Sequence, residues 1–545
     1  PRNHKEQQLA DCWAQVLGLE QVGIHHNFFE LGGDSLSGIQ LTTLLQQTFN
    51  HSFQLADIFR HPTIAEFTEL LKTTKSLDSQ IITPVSAQQT LLPLSFAQEE
   101  IWLNNQQNPG DTSYNICNAF SLSGPLQPEL LEQCFREIMQ RHSILRTRFQ
   151  QHAGQVVQII EENTVPDLRI THASHLPDGE QDAASAQLLS AEENQPFDLE
   201  QAPLWRVRLL RFSADQHTLI VNFHHSIEDA WSIQILLREL AALYAAFAAG
   251  EKSPLQPLKI QYSDFACWQR QYYTPEVLQD RYQYWQTLLS DKPPRLNLPV
   301  DHSAVPAATR QTYRSGMETY ALSGTLTQQL RTLGRQQGAS LSVVLLSAYF
   351  TLLHHYSGQH DLVVGMPTTK RNQHQVEPLM GYFSGMSVLR VRLPPEAGFT
   401  EVLALVQNAV QQTMANQDLT MKQVWNSLQL PWTGKENLLF RTVFNFIPVP
   451  RETVAMADIT LAPLGLKREK MVRDLVFGLW DKDGSGAALE GFIRYREDLF
   501  TVATIQQMVN QFERLLISIA EQPTQSIDDL LTSDVKNRPV RLPGK

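Results

Sequence analysis

The chain has 545 residues, 18% of them charged and 42% hydrophobic, with a formal net charge of −12. That length exceeds one ordinary domain and predicts roughly three or four units of common size. The acidic balance, with no long basic block, argues against binding to a nucleic-acid backbone, which needs clustered Lys and Arg.

Four cysteines, Cys12, Cys117, Cys134 and Cys267, include no CxxC pair. Neither a zinc knuckle nor a thioredoxin-like site is signalled, and reduced cytosolic thiols are expected. The opening PRNHKEQQLA has no basic-then-apolar signal segment, so a cytoplasmic location is expected. The missing initiator Met fits a processed, excised or fragment chain. The longest apolar run, at 341–356, is too short for a membrane span and reads as a buried helix, so no membrane partner is expected.

Residues 1–75 read as one small helical unit. EQQLADCWAQVLGL at 6–19 has helix periodicity, with Leu9, Trp13, Val16 and Leu17 on one face. A glycine-containing loop ends in NFFELGGDS, and a second helix is predicted over 36–49. LADIFRHPTIAEFTELL at 55–71 predicts a short helix, a break at Pro62 and a last helix starting near Thr63 or Ile64. Three or four such helices make a small core of marginal stability. Polar, aperiodic residues follow, and 76–90 is assigned as a linker. From Leu91 onward strands alternate with helices. HTLIVNFHH at 217–225, HDLVVGMP at 360–367 and SVLRVRLP at 387–394 read as strands, and Ser232 to Phe247 as an amphipathic helix. The mix predicts an α/β architecture in two lobes, 91–268 and 269–540.

LGGDSL at 31–36 is the sharpest feature of the first unit. Gly32 and Gly33 permit tight backbone, while Asp34 and Ser35 are both good N-cap residues. A plain helix cap is one reading. A covalently attached phosphate is another, because a first helical turn has unpaired N–H groups and a favourable dipole. No GxSxG elbow supports a nucleophilic serine.

HHSIEDAWS at 224–232 follows a strand. Alternation turns His224 and His225 to opposite sides, so one faces a cleft while the other fixes backbone. Histidine suits proton handling near neutral pH. HHxxxD is not HExxH, the rings diverge and no third ligand is evident, so no metal is assigned. Asp229 reads as a structural carboxylate. If buried it needs a cationic partner, and Arg146 and Arg148 in RHSILRTRF are the candidates. Glu228 reads as a solvated loop carboxylate.

Residues 6–71 resemble a peptidyl carrier domain of a nonribosomal peptide synthetase, through the first helix, NFFELGGDSL at 27–36 and LADIFRHPTI at 55–64. The resemblance implies that Ser35 carries a 4′-phosphopantetheine arm whose thiol holds the growing peptide. Residues 92–500 resemble a condensation domain of the same synthetases, on HHSIEDAWS together with LSFAQEEIWL at 94–103, RHSILRTRF at 141–149, YSDFACW at 262–268, GYFSGMSVLRVRL at 381–393, ANQDLTMKQV at 415–424, LLFRTVFNF at 438–446 and RDLVFGLW at 473–480. The implied fold is a small all-α carrier helical bundle followed by a two-lobed α/β, chloramphenicol-acetyltransferase-like condensation domain with a tunnel between the lobes.

The implied reaction condenses a carrier-bound peptidyl thioester with the amine of an aminoacyl thioester on a downstream carrier, forming an amide. The resemblance gives His225 the active-site role, as base or as positioner, and His224 a supporting one. Asp229 would hold the loop through an ion pair. The implied partners are a downstream aminoacyl carrier domain, upstream modules or an adenylation domain, and a phosphopantetheinyl transferase.

The chain departs from the family's pattern in several places. Ala230 stands where Gly is usual, Ser-Gly-Met at 384–386 replaces Val-Asn-Thr, Asn416 replaces a frequent His, Leu-Thr at 419–420 replaces a frequent Pro-Phe, and TGKENLLFRTVFNF at 433–446 departs at its start. They leave room for a specialised subtype. An epimerase and an inactive docking scaffold are the alternatives; a heterocyclising domain is opposed by His224.

Overall fold

The computed structural model describes all residues except 34, 50, 52, 54, 74–80, 87, 302–312, 372, 430–438, 448–452, 466–469, 472, 482–487 and 533–545. The N-terminal unit forms helices His4–Leu17, Ser35–Phe49, Leu55–Arg60 and Ile64–Thr73, the last two separated at Pro62 as the sequence predicts. Asn3 caps the first helix by accepting from the Glu6 N–H, and Gly18 ends it at φ +66°, the left-handed geometry that glycine tolerates. Leu9 and Trp13 are fully buried, while Val16 and Leu17 are partly buried against the same core. The Trp13 ring meets Phe28 and Phe67 edge-on at 6.2 and 5.4 Å. Such side chains contribute about 1.5–3 kcal/mol each on burial, so a few aromatics carry much of this small core.

The first lobe is organised on a six-stranded sheet. At its centre Asn115–Ser123 pairs antiparallel with Gln216–His224, and Asn115 lies opposite His224. The second lobe has a seven-stranded sheet in which Thr442–Ile447 runs parallel to both Asp361–Thr369 and Leu475–Asp481. The 269–540 stretch is not confined to the second lobe. Val454–Met456 and Ile459–Pro463 cross over and add to the first lobe's sheet beside Asn115–Ser123. Met456, Ile459 and Leu461 are buried in the first lobe's core, which is the apolar gain that holds the crossover in place.

Helix Leu341–Ser357 is apolar on every side, capped by Ser340 and ended by Gly358 at φ +67°. It is buried in the second lobe's core, as an all-round apolar helix must be in water. No single described helix is long and apolar enough to cross a membrane; Gly324–Gln336 and Leu341–Ser357 would do so only as a pair bent by 100°. The four cysteines are buried and hold no disulfide.

The N-terminal unit packs on the second lobe. Its helix Leu55–Arg60 lies against Phe399–Ala415, Met414 of the latter packs on the N-terminal core, and the His374 N–H donates to Gln46 Oε1 at 3.3 Å. The distal part of the 76–90 segment is pinned as well. Ile82 exchanges two hydrogen bonds with the Gln375 amide at 3.0 and 2.9 Å, and the Val85 N–H donates to Asp264 at 2.8 Å.

Candidate active site

Strand Gln216–His224 delivers the two histidines to the junction of the lobes. Leu219, Val221 and Phe223 are fully buried and anchor the strand in the first core. The backbone pairing continues one residue past the strand, since the His225 N–H donates to the Tyr114 carbonyl at 2.8 Å. The chain then turns, with Ile227 N–H on the His224 carbonyl at 3.1 Å, and helix Ala230–Ala248 begins.

The two imidazoles diverge as alternation requires. His224 is 1% exposed, with Nδ1 2.8 Å from Ser226 Oγ and its ring between Tyr114 and Phe197. Burial, with a smaller contribution from the neighbouring His225, pushes its pKa down to about 3. It is therefore neutral at ordinary pH. His225 keeps 27% of its side chain exposed. Its ring stands 4.7 Å from that of Tyr382. Its Nδ1 lies 3.0 Å from the Glu228 carbonyl oxygen and 3.4 Å from Glu228 Oε1. Both neighbours only accept when the carboxyl is ionised, so in the neutral ring Nδ1 is the nitrogen that carries the hydrogen and Nε2 the one that keeps a lone pair.

Asp229 is 2% exposed and caps helix Ala230–Ala248 in a capping box with Ser232. Its partner is neither Arg146 nor Arg148. Arg148 pairs with Glu161 at 2.6 Å, and Arg146 donates to the carbonyls of Met139 and Glu161. Arg371 takes the place instead, with Nη2 2.9 Å from Asp229 Oδ1 and Nε 3.3 Å from Oδ2. The same guanidinium donates from Nη1 to the carbonyls of Val376 and Leu379 at 2.8 and 2.9 Å and covers the Phe383 ring at 4.1 Å. The Phe383 N–H reaches Asp229 Oδ2 at 3.3 Å and the Gly381 N–H donates to Ser232 Oγ at 3.0 Å. Asp229 thus fastens the helix start to the 371–383 segment. A Cβ at Gly381 would lie 2.0 Å from Tyr262 Cδ2, so this close approach requires glycine.

The reading of one residue changes. Glu228 is not solvated: it is 1% exposed. Ala230 is the first helical residue and is exposed, so its methyl group adds to an accessible surface beside the motif. Gly385 also has a clear role in space, since a Cβ there would lie 3.0 Å from Thr368 Oγ1 and 3.6 Å from Lys370 Cε. Lys370, Glu100 and Arg473 form a charged group that sequence reasoning missed, because isolated charges carry no spacing signal. Burial lowers the Lys370 ammonium to about 8 and the Arg473 guanidinium to about 10, and raises the Glu100 carboxyl. Among the described residues, no group of His, Cys, Asp and Glu is placed to hold a metal.

At the carrier, Ser35 is the first residue of its helix; its side chain and Asp34 lie outside the described residues. The turn before it suits a phosphate ester. A Cβ at Gly33 would lie 2.3 Å from Phe28, and Gly32 adopts φ +102° with Arg335 Nη2 3.2 Å from where its Cβ would be. Bare backbone therefore reaches a helix start, whose N–H groups and dipole favour anions.

The pattern of the family described as condensation domain matches residues 88–539. The chain belongs to that family. Ahead of its condensation domain, residues 7–71 match the family described as phosphopantetheine attachment site, a unit that takes 4′-phosphopantetheine covalently. One linear gramicidin synthase protein of Brevibacillus parabrevis is 36% identical over 530 residues, covering 97% of this chain and 10% of that protein. Tyrocidine synthase 3 of the same organism is 32% identical over 530 residues, covering 97% of this chain and 8% of that one. The chain thus spans a tenth or less of the length of these two relatives. Among solved structures, the X-domain from teicoplanin biosynthesis superposes with a TM-score of 0.72 at 25% identity, over 82% of this chain and 99% of that one. The first condensation domain of the calcium-dependent antibiotic synthetase, in complex with substrate analogue 3a, gives 0.68 at 18% identity over 81% and 98%, a likeness of fold.

Proposed function

We propose that the condensation domain joins a peptidyl thioester, delivered by its own fused carrier, to the amine of an aminoacyl thioester on a separate downstream carrier. The observation that carries this reading is His225 at the lobe junction, with Nδ1 held by acceptors and Nε2 left as a lone pair. An amine nitrogen beside Nε2 would be oriented for attack, and holding two reactants in place supplies much of the advantage in such reactions. Asp229 and Arg371 fix the loop that presents the imidazole, and His224 packs behind it.

Ser35 is the proposed attachment residue, since it opens the helix after the bare glycine turn. When bound there, the 4′-phosphopantetheine arm supplies the thiol that holds the acyl group. The contacts of Leu55–Arg60 and Gln46 with the second lobe, and of the second lobe's Met414 with the carrier core, support delivery within one molecule. Tethering through the pinned 81–86 segment raises the effective concentration of carrier at this face. The partners follow: a phosphopantetheinyl transferase that modifies Ser35, upstream modules or an adenylation domain that load it, and the downstream acceptor carrier.

A docking scaffold without chemistry is the second reading. It is favoured by the likeness to the X-domain from teicoplanin biosynthesis, which has been solved in complex with OxyB. Transfer separates the readings. The chain is loaded with a peptidyl-pantetheine, mixed with an aminoacyl carrier and followed by intact mass. Movement of the peptide to the acceptor is the expected result. Folded protein with no transfer over suitable donors favours the scaffold, and a mass-neutral stereochemical change favours an epimerase.

A further inference from the structure

We infer that Glu228 is a positioning residue whose buried carboxylate holds charge against His225, making His225 the proton acceptor of amide formation rather than a passive guide for the amine. The inference rests on the condensation reading above. Glu228 is 1% exposed, and its Oε2 has no hydrogen-bond partner among the described residues. Its Oε1 lies at ion-pair distance, 3.4 Å, from His225 Nδ1. A carboxylate buried without a donor is costly unless a positive charge faces it. The one cationic side chain within 4 Å of it among the described residues is His225 in its imidazolium form.

The neutral imidazole does not need this carboxylate for its orientation. The Glu228 carbonyl oxygen at 3.0 Å already fixes the Nδ1 hydrogen. The side chain therefore matters most in the state where Nε2 has gained a proton. That state arises when the amine nitrogen bonds to the thioester carbonyl carbon. The amine proton passes to Nε2, the carbon–sulfur bond breaks, and the proton leaves Nε2 for the departing sulfur. The products are the amide and the free thiol, and His225 and Glu228 end as they began. Pairing the transient imidazolium with a buried carboxylate is worth more than the same pairing in water.

A double-mutant cycle tests the inference: wild type, Glu228→Gln, His225→Ala and the double variant, each in single-turnover transfer from the loaded chain to an aminoacyl carrier. Glu228→Gln should slow transfer about 10- to 100-fold, with the acceptor concentration for half-maximal rate unchanged. In the His225→Ala background the same change should cost nothing, because Glu228 acts through the imidazole. Glu228→Gln should also melt no lower than wild type, since a neutral amide replaces a buried carboxylate whose Oε2 lacks a donor. A loss of equal size in both backgrounds, or no loss in the wild-type background, overturns the inference. If Glu228→Gln does not fold, Glu228→Ala is read in the same cycle. Failure of the wild type itself to transfer strikes the condensation reading, whereas normal transfer by wild type and Glu228→Gln alike strikes only the role of Glu228.

Discussion

In the carrier, everything that marks Ser35 lies in one short stretch: two glycines, an acid and a helix start between residues 31 and 36. In the condensation domain, His225 depends on residues from both lobes. Asp229 is clamped by Arg371, 142 positions away, and by the Phe383 N–H, 154 positions away, while Tyr382 faces the imidazole. A carrier serine must be accessible to a modifying enzyme and then travel, so a local turn suffices for it. A residue that meets two substrates needs a fixed place between rigid bodies. The first kind of site can be read from a motif; the second only in part.

Changes at each site should therefore separate cleanly. Ser35→Ala should abolish loading, read as the missing pantetheine mass, without changing the melting of the condensation domain; a shared loss of stability would break the contrast. His225→Ala should slow transfer about 10²- to 10⁴-fold, the range typical of a positioned acid–base group, with loading of Ser35 intact.

Arg371→Met leaves Asp229 buried without its cation and should destabilise the condensation domain by about 3–5 kcal/mol, measured by urea unfolding, whereas carrier unfolding should not move. His224 gives a pH signature. Its folded pKa of about 3 lies below the unfolded value, so the unfolded chain binds the proton that the folded chain refuses. Its contribution is complete above about pH 6.5 and falls by roughly 1.4 kcal/mol per unit as pH drops toward 3. Replacing His224 by Phe should flatten that slope. The smallest effect is expected from Gln375→Ala, which removes the two bonds to Ile82 and should cost about 1–2 kcal/mol, read as faster amide exchange at 81–86.

What the sequence shows follows the same division. The helices around Trp13 and the break at Pro62 are legible because periodicity and proline act locally. The divergence of His224 and His225 is legible from strand alternation. The Asp229–Arg371 pair is not, because Arg146 and Arg148 lie in a motif of the right kind while Arg371 lies in a segment with no periodic signal. Glu228 looks like a solvated loop acid until the fold buries it beside His225. The crossover of 454–463 into the first lobe's sheet is likewise a long-range pairing that no local pattern announces.

The central claim is that this condensation domain forms an amide at His225 from acyl groups carried on Ser35. Its most direct test is fragment mass analysis of the acceptor after mixing the loaded chain with an aminoacyl carrier. The account predicts that the acceptor gains the peptide, bonded at the α-nitrogen of its amino acid, while Ser35 returns to the free thiol form. An acceptor of unchanged mass beside folded, fully loaded chain would contradict it.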